Sequence, residues 1–452
     1  MCAAIEWNSR LSHSYAHGAA GCASYPHISQ FHRGITAFDL LRALRSSRRA
    51  GRPLALAVQL PMASRNDDAQ TPGAGAISRY LDGLEREIDL LSCHLGAQQR
   101  VEQFHLSGGT PSADELSRLM GHLQQRFNFQ PQPLGDYSIE IDLPHADWAT
   151  MGLLRELGFN HVSIGVPDIN PRSGGALLDF QDPRQVRSLI DATRALHFRS
   201  VNIDLGYGRA WQTPASFARK AAAIIELQPS RVQLFDYAHP PRRYRGRKRF
   251  VASGFAAQHD KLAMHRHAVE QLLGAGYSYI GLGQFALADD ELASAQEDAR
   301  LQHNWQGYSR QAHCDHLGLG VAAISQIGDL YLQNIGDVQR YQEQLTMGQL
   351  AVFHGLRCSP DEQLRRVVIE TLLCDYQLDL RGIEARFGLL FRDYFAPLWP
   401  QLEQMASDGL IELSATRLSV PPAGRLLVGA VCKLLEHGRC AQADKPQQHS
   451  RR

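Results

Sequence analysis

A repeating pattern that begins near residue 53 constrains the fold of this 452-residue chain more than any other feature. A short apolar run rich in strand-forming residues is followed by a polar turn and then by a segment of helical periodicity, and this order recurs. Successive strand–helix units of this kind form a parallel sheet covered by helices, either a partial barrel or a doubly wound fold. The strand candidates are Leu54–Leu60, Gln103–Leu106, Tyr137–Ile141, His161–Val166, Ser200–Leu205 and Arg231–Tyr237.

In a parallel sheet of this type, ligands bind beyond the carboxyl ends of the strands. The residues at these ends are therefore the first candidates for a functional site. They are Pro61–Ala69, Ser107–Pro111, Glu140–Asp142, Pro167–Asn170, Asp204–Gly208 and Asp236–His239.

Composition excludes several classes of protein. Hydrophobic residues make up 44% and charged residues 21% of the chain, which is typical of globular domains and not of disordered or fibrous proteins. The formal net charge of +1 gives no chain-wide attraction to nucleic acid or to a membrane surface. The eight cysteines are scattered without a C-x-x-C pair, which argues against a disulfide framework or a zinc ribbon. Without a signal-peptide pattern or a long apolar run, we expect a cytoplasmic protein.

The strand–helix rhythm stops near residue 288, and residues 361–437 read as helices with two short strands in the order of a winged-helix module. Such a module could bind DNA through Arg381 and Arg386, but we favour a packing domain because a fold alone does not define a function. We therefore expect an N-terminal arm over 1–50, the barrel over 51–288, a mainly helical cap over 289–440 and a disordered tail over 441–452.

A series of short motifs then identifies a family. The runs stand in a fixed order: S-G-G-T-P at 107–111, S-I-E-I-D at 138–142, S-I-G-V-P-D-I-N at 163–170, V-N-I-D-L-G-Y-G at 201–208, F-D-Y-A-H-P-P at 235–241, W-Q-G-Y at 305–308 and C-D-H-L-G-L-G-V-A-A-I-S at 314–325. Together they resemble the oxygen-independent coproporphyrinogen III oxidases, which are radical S-adenosylmethionine enzymes. The resemblance implies a partial (β/α)6 barrel of the radical S-adenosylmethionine type, closed by a helical, winged-helix-like C-terminal domain. It also implies oxidative decarboxylation of two propionates to vinyl groups.

That activity depends on a [4Fe-4S] cluster held by C-x-x-x-C-x-x-C just after the first strand. Aligned through that strand, the three ligand positions fall on Ala63, Asp67 and Gln70, and residues 61–75 contain no cysteine. Alanine and glutamine do not replace a thiolate ligand. The family's Tyr and His on the first strand are Ala57 and Gln59 here. We therefore expect the cluster to be absent.

Other family positions are kept. Gly108, Gly109, Thr110, Glu140 and Asp204 match residues that bind S-adenosylmethionine in the family, so the resemblance implies that this cofactor pocket survives. The alternative for the glycines is a tight turn that uses their backbone freedom. The alternative for the two carboxylates is helix capping or a solvated strand end.

A basic run follows the sixth strand candidate, with Arg242, Arg243 and Arg245 at its start and six cationic side chains within eight residues. Guanidinium groups match the propionates of a tetrapyrrole, and Tyr237 and His239 would lie near the ring. A solvated loop and a nucleic-acid contact are the alternatives, because basic clusters serve any phosphate equally well.

Four potential metal donors stand in a row at 313–316: His313, Cys314, Asp315 and His316. Consecutive residues point in different directions on a strand or a helix, so at most two of them share one ion. We favour a polar loop that precedes a glycine-rich strand.

These observations lead to one main hypothesis and two alternatives. The main hypothesis is a catalytically inactive homologue that binds coproporphyrin or haem, as a chaperone, a sensor or a partner of the true oxidase, with no membrane or nucleic-acid partner. The first alternative is an active oxidase or another S-adenosylmethionine-dependent enzyme. The second is an interaction surface that binds neither ligand.

Overall fold

The structure is a computed structural model, and it describes residues 5–19, 25–61, 76–96, 99–108, 111–131, 134–143, 146–166, 183–239, 254–311 and 313–437. None of the described helices is long and apolar enough to cross a membrane.

The strands form in the positions where short β-branched and apolar runs alternate with turns. The first nine are β1 Leu54–Gln59, β2 Arg100–Ser107, β3 Asn128–Phe129, β4 Asp136–Asp142, β5 His161–Gly165, β6 Ser200–Tyr207, β7 Arg231–Asp236, β8 Tyr277–Gly281 and β9 Gln284–Leu287. The others are β10 Gln302–Asn304, β11 Gly307–Ser309, β12 Asp315–Gly320, β13 Ile324–Ile327, β14 Leu330–Asn334, β15 Val352–Arg357, β16 Gln377–Asp379, β17 Glu412–Leu413 and β18 Arg417–Ser419.

The helices begin at local capping sequences. Ser112 and Glu115 form a reciprocal capping box at the start of helix Ala113–Arg126, and Ser359 and Glu362 form another at the start of helix Pro360–Asp375. The helices up to α8 are α1 Ser9–Ala19, α2 Ala37–Arg49, α3 Ala76–Ser92, α4 Ala113–Arg126, α5 Trp148–Glu156, α6 Pro183–Ala195, α7 Pro214–Glu226 and α8 Gln258–Gly274. The later ones are α9 Glu291–Glu297, α10 Val338–Thr346, α11 Pro360–Asp375, α12 Leu380–Phe387, α13 Phe391–Tyr394, α14 Trp399–Ser407 and α15 Val428–His437.

One large sheet organises the molecule, in the order β15-β14-β13-β12-β1-β2-β4-β5-β6-β7-β9-β8. The six predicted strands pair in parallel in chain order, which confirms the predicted α/β fold class. The terminal strands β15 and β8 are not paired with each other within the described residues, so the barrel is partial.

The sheet extends beyond the predicted boundary at 288. Strand β12 pairs in parallel with β1, opposite β2, and β13, β14 and β15 continue the sheet in antiparallel order. The four strands β12 to β15, which the sequence pattern places in the helical cap, therefore form part of the barrel sheet. The sequence pattern missed them because short hairpins interrupt the strand–helix rhythm.

The ends of the chain pack together. Residues 1–50, which we expected to be an arm of uncertain order, contain α1 and α2 in their described part, and α1 packs against α15. Helices α11 to α15 and the small sheet β16-β18-β17 follow the winged-helix order predicted from the sequence. The C-terminal domain is anchored to the barrel by Tyr376, whose hydroxyl donates to the carbonyl of Ile280 at 2.9 Å.

The buried carboxyl group of Glu87 forms hydrogen bonds at the carboxyl end of β12. Glu87 on α3 accepts hydrogen bonds from the Gly320 amide at 2.7 Å, the Tyr341 hydroxyl at 2.7 Å and the Asn334 side-chain amide at 2.6 Å. These partners are neutral, and burial raises the pKa of Glu87 to about 7. Nearby, the Tyr80 hydroxyl donates to the Gln59 carbonyl at 2.8 Å. Glu87 therefore joins α3, α10 and the end of β12 beside β1.

The protonation of Glu87 should make the stability of the protein depend on pH. The folded-state pKa of about 7 lies above the ordinary value of 4.5, so the folded state holds a proton that the unfolded state releases. The free energy of unfolding should fall as pH rises from about 4.5 to about 7, by about 3 kcal/mol from this group. We expect Glu87→Gln to remove this component, measured as the difference between urea unfolding at pH 5 and pH 8. The exposed control Glu343→Gln should leave that difference unchanged, and equal pH dependence in both variants would contradict the assignment.

Candidate functional site: the inner face of the barrel

Side chains alternate between the two faces of each strand, and in this sheet the two faces differ in polarity. One face carries apolar residues that are buried against the helices, such as Phe104, Ile139 and Ile203. The other face is lined mostly by polar, half-buried side chains. This inner face includes Gln59, Gln103, His105, Ser107, Ser138, Glu140, Ser163, Asn202, Asp204 and Gln233. A partly accessible polar lining is suited to binding a polar ligand rather than to forming a core.

Glu140 lies on this face next to a histidine that sequence reasoning missed. The Nε2 atom of His105 is 3.6 Å from Oε1 of Glu140, and its Nδ1 is 2.8 Å from the Ser138 hydroxyl. Both Glu140 and His105 are about one-fifth exposed. The period-two alternation of β2 and β4 could have identified this pair, because it places both side chains on the same face.

Asp204 is the second predicted carboxylate, and it is almost fully buried at 3% exposure. The side-chain amide of Asn202 donates to Asp204 at 2.8 Å and to the Ser163 hydroxyl at 2.8 Å. The side-chain amide of Gln284 donates to the Asn202 oxygen at 3.2 Å. A chain of neutral amides therefore orients Asp204.

The turn after β2 needs glycine at one position. Gly108 has a φ of +111°, and a Cβ atom there would lie 2.3 Å from the carbonyl oxygen of Leu60. The end of β2 thus passes in close contact with the end of β1, in agreement with the turn interpretation. Gly109 and Thr110 lie outside the described residues.

The two described residues that we predict to contact a tetrapyrrole, Tyr237 and His239, differ in their exposure to solvent. Tyr237 is 2% exposed, and the guanidinium carbon of Arg209 lies 3.9 Å from its ring centroid. Tyr237 therefore stacks on Arg209, a fully buried residue at the carboxyl end of β6 that sequence reasoning missed. His239 is exposed at the end of β7, next to the first residues of the basic run. Arg242, Arg243 and Arg245 lie outside the described residues.

The described cysteines do not form a set of three thiolates at the end of β1. Cys314 precedes β12, and Asp315 pairs with the first residue of β1, so Cys314 lies at the amino edge. The Cys358 amide bonds to Asp329 at the same edge, and Cys93 follows α3 there. Cys374 and Cys432 are buried in α11 and α15. Within the described ranges, these residues do not fit a [4Fe-4S] cluster.

Comparisons with known proteins give a family. The family model described as HemN C-terminal domain matches residues 358–427. The oxygen-independent coproporphyrinogen III oxidase of Pseudomonas aeruginosa is 47% identical over 96% of this chain and 96% of its own length. The enzyme of the same name from Salmonella typhimurium is 34% identical over 99% of this chain and 98% of its own length. The chain belongs to the oxygen-independent coproporphyrinogen III oxidase family.

A solved structure supports the same assignment. The Escherichia coli coproporphyrinogen III oxidase, described as a radical SAM enzyme, superposes with a TM-score of 0.86 and 34% identity, covering 96% of this chain and 99% of that one. The resemblance inferred from the motifs is thus confirmed at the level of the family and the fold. The roles of individual residues remain predictions.

The inner face of the barrel is the candidate ligand-binding site of this fold. A surface groove of about 690 Å³ lies elsewhere, at the amino edge, where it is lined by residues such as Gln130, Tyr137 and Leu157. That groove lies on the opposite side from the carboxyl ends of the strands, where α/β folds bind their ligands.

The turn geometry yields a test of backbone strain at this site. We expect Gly108→Ala to destabilise the protein by about 1–3 kcal/mol, because the new methyl group would clash with Leu60 and the backbone conformation would be strained. Gly121 lies inside α4 with no atom near its Cβ direction, so Gly121→Ala should stabilise the protein by up to about 1 kcal/mol. Urea unfolding of both variants checks this, and equal effects would contradict the close approach of β1 and β2.

Proposed function

We propose that this chain binds a tetrapyrrole of the coproporphyrinogen type in the barrel, and that it does so without a [4Fe-4S] cluster at the family position. One observation carries the proposal. The inner face of the barrel keeps a polar lining, whereas the three positions that the resemblance assigns to the cluster ligands hold Ala63, Asp67 and Gln70 instead of cysteines. The polar side chains that line the cavity are therefore present, and the three thiolates expected after β1 are replaced by side chains that do not bind a cluster.

The chemistry of the residues supports binding of a polyanionic ring. Arg242, Arg243 and Arg245 come shortly after β7 in the sequence, and guanidinium groups form paired hydrogen bonds with carboxylates. Glu140 and Asp204 supply acceptors for the amino and hydroxyl groups of S-adenosylmethionine. When bound together, S-adenosylmethionine and a cluster would supply radical chemistry.

The second candidate is the active oxidase, and the relatives favour it over an inactive protein. Two relatives that carry the oxidase name match almost the whole chain at 47% and 34% identity. The cluster would then need thiolates from outside positions 61–75, and Cys2, Cys22 and Cys440 lie outside the described residues. Anaerobic iron and sulfide analysis of the full chain separates the two candidates directly.

The basic run should carry the affinity for propionates. We expect the triple substitution Arg242→Ser, Arg243→Ser and Arg245→Ser to weaken coproporphyrin III binding at least about tenfold, measured by anaerobic spectrophotometric titration. The matched control substitutes three exposed arginines of α2 with serine: Arg45, Arg48 and Arg49. Equal affinity in both triple variants would remove the propionate assignment.

Restoring the thiolates should restore cluster binding. We expect Ala63→Cys, Asp67→Cys and Gln70→Cys together to bind about four irons per chain after anaerobic reconstitution with iron and sulfide, with visible absorption, because three thiolates satisfy a cluster. The natural chain should bind fewer than about one iron, and the control with serine at the same three positions should match it. A full cluster in the natural chain would overturn the proposal and establish the second candidate.

A further inference from the structure

Three potential metal ligands meet at the amino edge of the sheet, on the opposite side from the proposed tetrapyrrole site. They are Glu102 of β2 and the adjacent pair His313 and Cys314, which precede β12. Each offers one donor atom, and the three atoms lie within 4.8 Å of one another. The Nε2 atom of His313 is already 3.1 Å from Oε2 of Glu102. In a tetrahedral zinc site with bonds of about 2.0–2.3 Å, donor atoms are about 3.3–3.8 Å apart, so small side-chain rotations bring these three around one ion.

The backbone explains why these residues meet. Leu54, the first residue of β1, pairs with Val101 on one side and with Asp315 on the other. The next residue of β1 pairs with Gln103, so the ladder skips Glu102, which occupies a β-bulge. Bulges redirect a side chain away from the regular alternation. Glu102 and Cys314 therefore both lie beside the start of β1, although 212 positions of sequence separate them.

The surroundings orient the donors and leave room for an ion. Arg100 binds the other carboxylate oxygen of Glu102, at 3.3 Å, which leaves Oε2 facing His313. The Cys314 thiol donates a weak hydrogen bond to the Gln311 side chain at 3.8 Å. The side chain of His313 is 61% exposed, so an ion and a water molecule can reach the fourth position. At metal sites, contacts from neighbouring side chains such as Arg100 and Gln311 hold the metal ligands in place.

A second cluster of potential metal ligands is already neutralised by arginine side chains and needs no metal ion. Asp136, His161 and Glu291 also lie within 4.8 Å of one another. Arg199 and Arg310 each contact both Asp136 and Glu291, so cations already occupy the space between these carboxylates. This cluster is an ion-pair network, and the cluster at Glu102 is the better candidate for a metal.

We propose that Glu102, His313 and Cys314 form a binding site for a divalent transition metal of the zinc type. A carboxylate, an imidazole and a thiolate are ligands that Zn²⁺ takes, and three protein ligands leave one position for water. The ion would join the bulge of β2 to the segment that leads into β12, across the start of β1. The sequence allowed at most two ligands from the run 313–316, and the third comes from a distant strand.

The test is a titration of the full chain with Co²⁺, which replaces Zn²⁺ and shows a thiolate-to-cobalt absorption band in the near ultraviolet. We expect saturation at one equivalent, reversal by added Zn²⁺, and at least about tenfold weaker binding with loss of the band in Cys314→Ser. Glu102→Gln, which keeps the shape of the side chain, should weaken binding and keep the band.

The control is Cys93→Ser, which removes an exposed thiol that lies after α3 and should leave the titration unchanged. Circular dichroism confirms that each variant is folded. The proposal is overturned if the natural chain shows no saturable band, if the band persists in Cys314→Ser, or if Cys93→Ser abolishes it. None of these readouts depends on tetrapyrrole binding, so the result is independent of the proposed function.

Discussion

The parallel pairing of β1 with both β2 and β12 is the constraint on which the rest of the structure depends. It fixes the register of the sheet on both sides of its central strand, from Leu54 to Gln59. Because the pairing is parallel, the carboxyl ends of the neighbouring strands meet at one edge and their amino ends at the other. The proposed ligand site occupies the first edge and the proposed metal site the second.

At the carboxyl edge of the sheet, β2 and β12 both pack closely against the end of β1. Gly108 lets β2 pass against Leu60, and Gly320 lets β12 pass against Gln59, where a Cβ atom would lie 2.3 Å from a carbonyl oxygen in each case. Glu87 then gathers the amide of Gly320 with side chains from two other elements. This packing involves none of the positions that the resemblance assigns to the cluster ligands.

Strand periodicity was enough to predict the parallel strands, because each strand is a short apolar run bounded by turns. It also directed attention to Glu140 and Asp204, which lie in the second half of their strands on the inner face, and their role in binding a cofactor stays a prediction. It did not predict the pairing of β12 with β1, which joins segments more than 250 residues apart.

Other contacts were missed for the same reason. Arg209 stacks on Tyr237 only once β6 and β7 are paired in their register, and Glu102 meets His313 only once β2 and β12 lie on either side of β1. No local pattern reports a contact that depends on sheet register. The positions that the resemblance assigns to the cluster ligands, Ala63, Asp67 and Gln70, lie outside the described residues, so the loss of the cluster stays a prediction.

Our central proposal is that the family barrel binds a tetrapyrrole here without a [4Fe-4S] cluster after β1, and therefore without radical chemistry. The most direct measurement is an anaerobic turnover assay of the reconstituted natural chain with coproporphyrinogen III, S-adenosylmethionine and a reductant, followed by separation of bound from free tetrapyrrole. We expect coproporphyrinogen III to be recovered unchanged and bound to the protein. Release of carbon dioxide with formation of protoporphyrinogen IX would contradict it and establish an active oxidase.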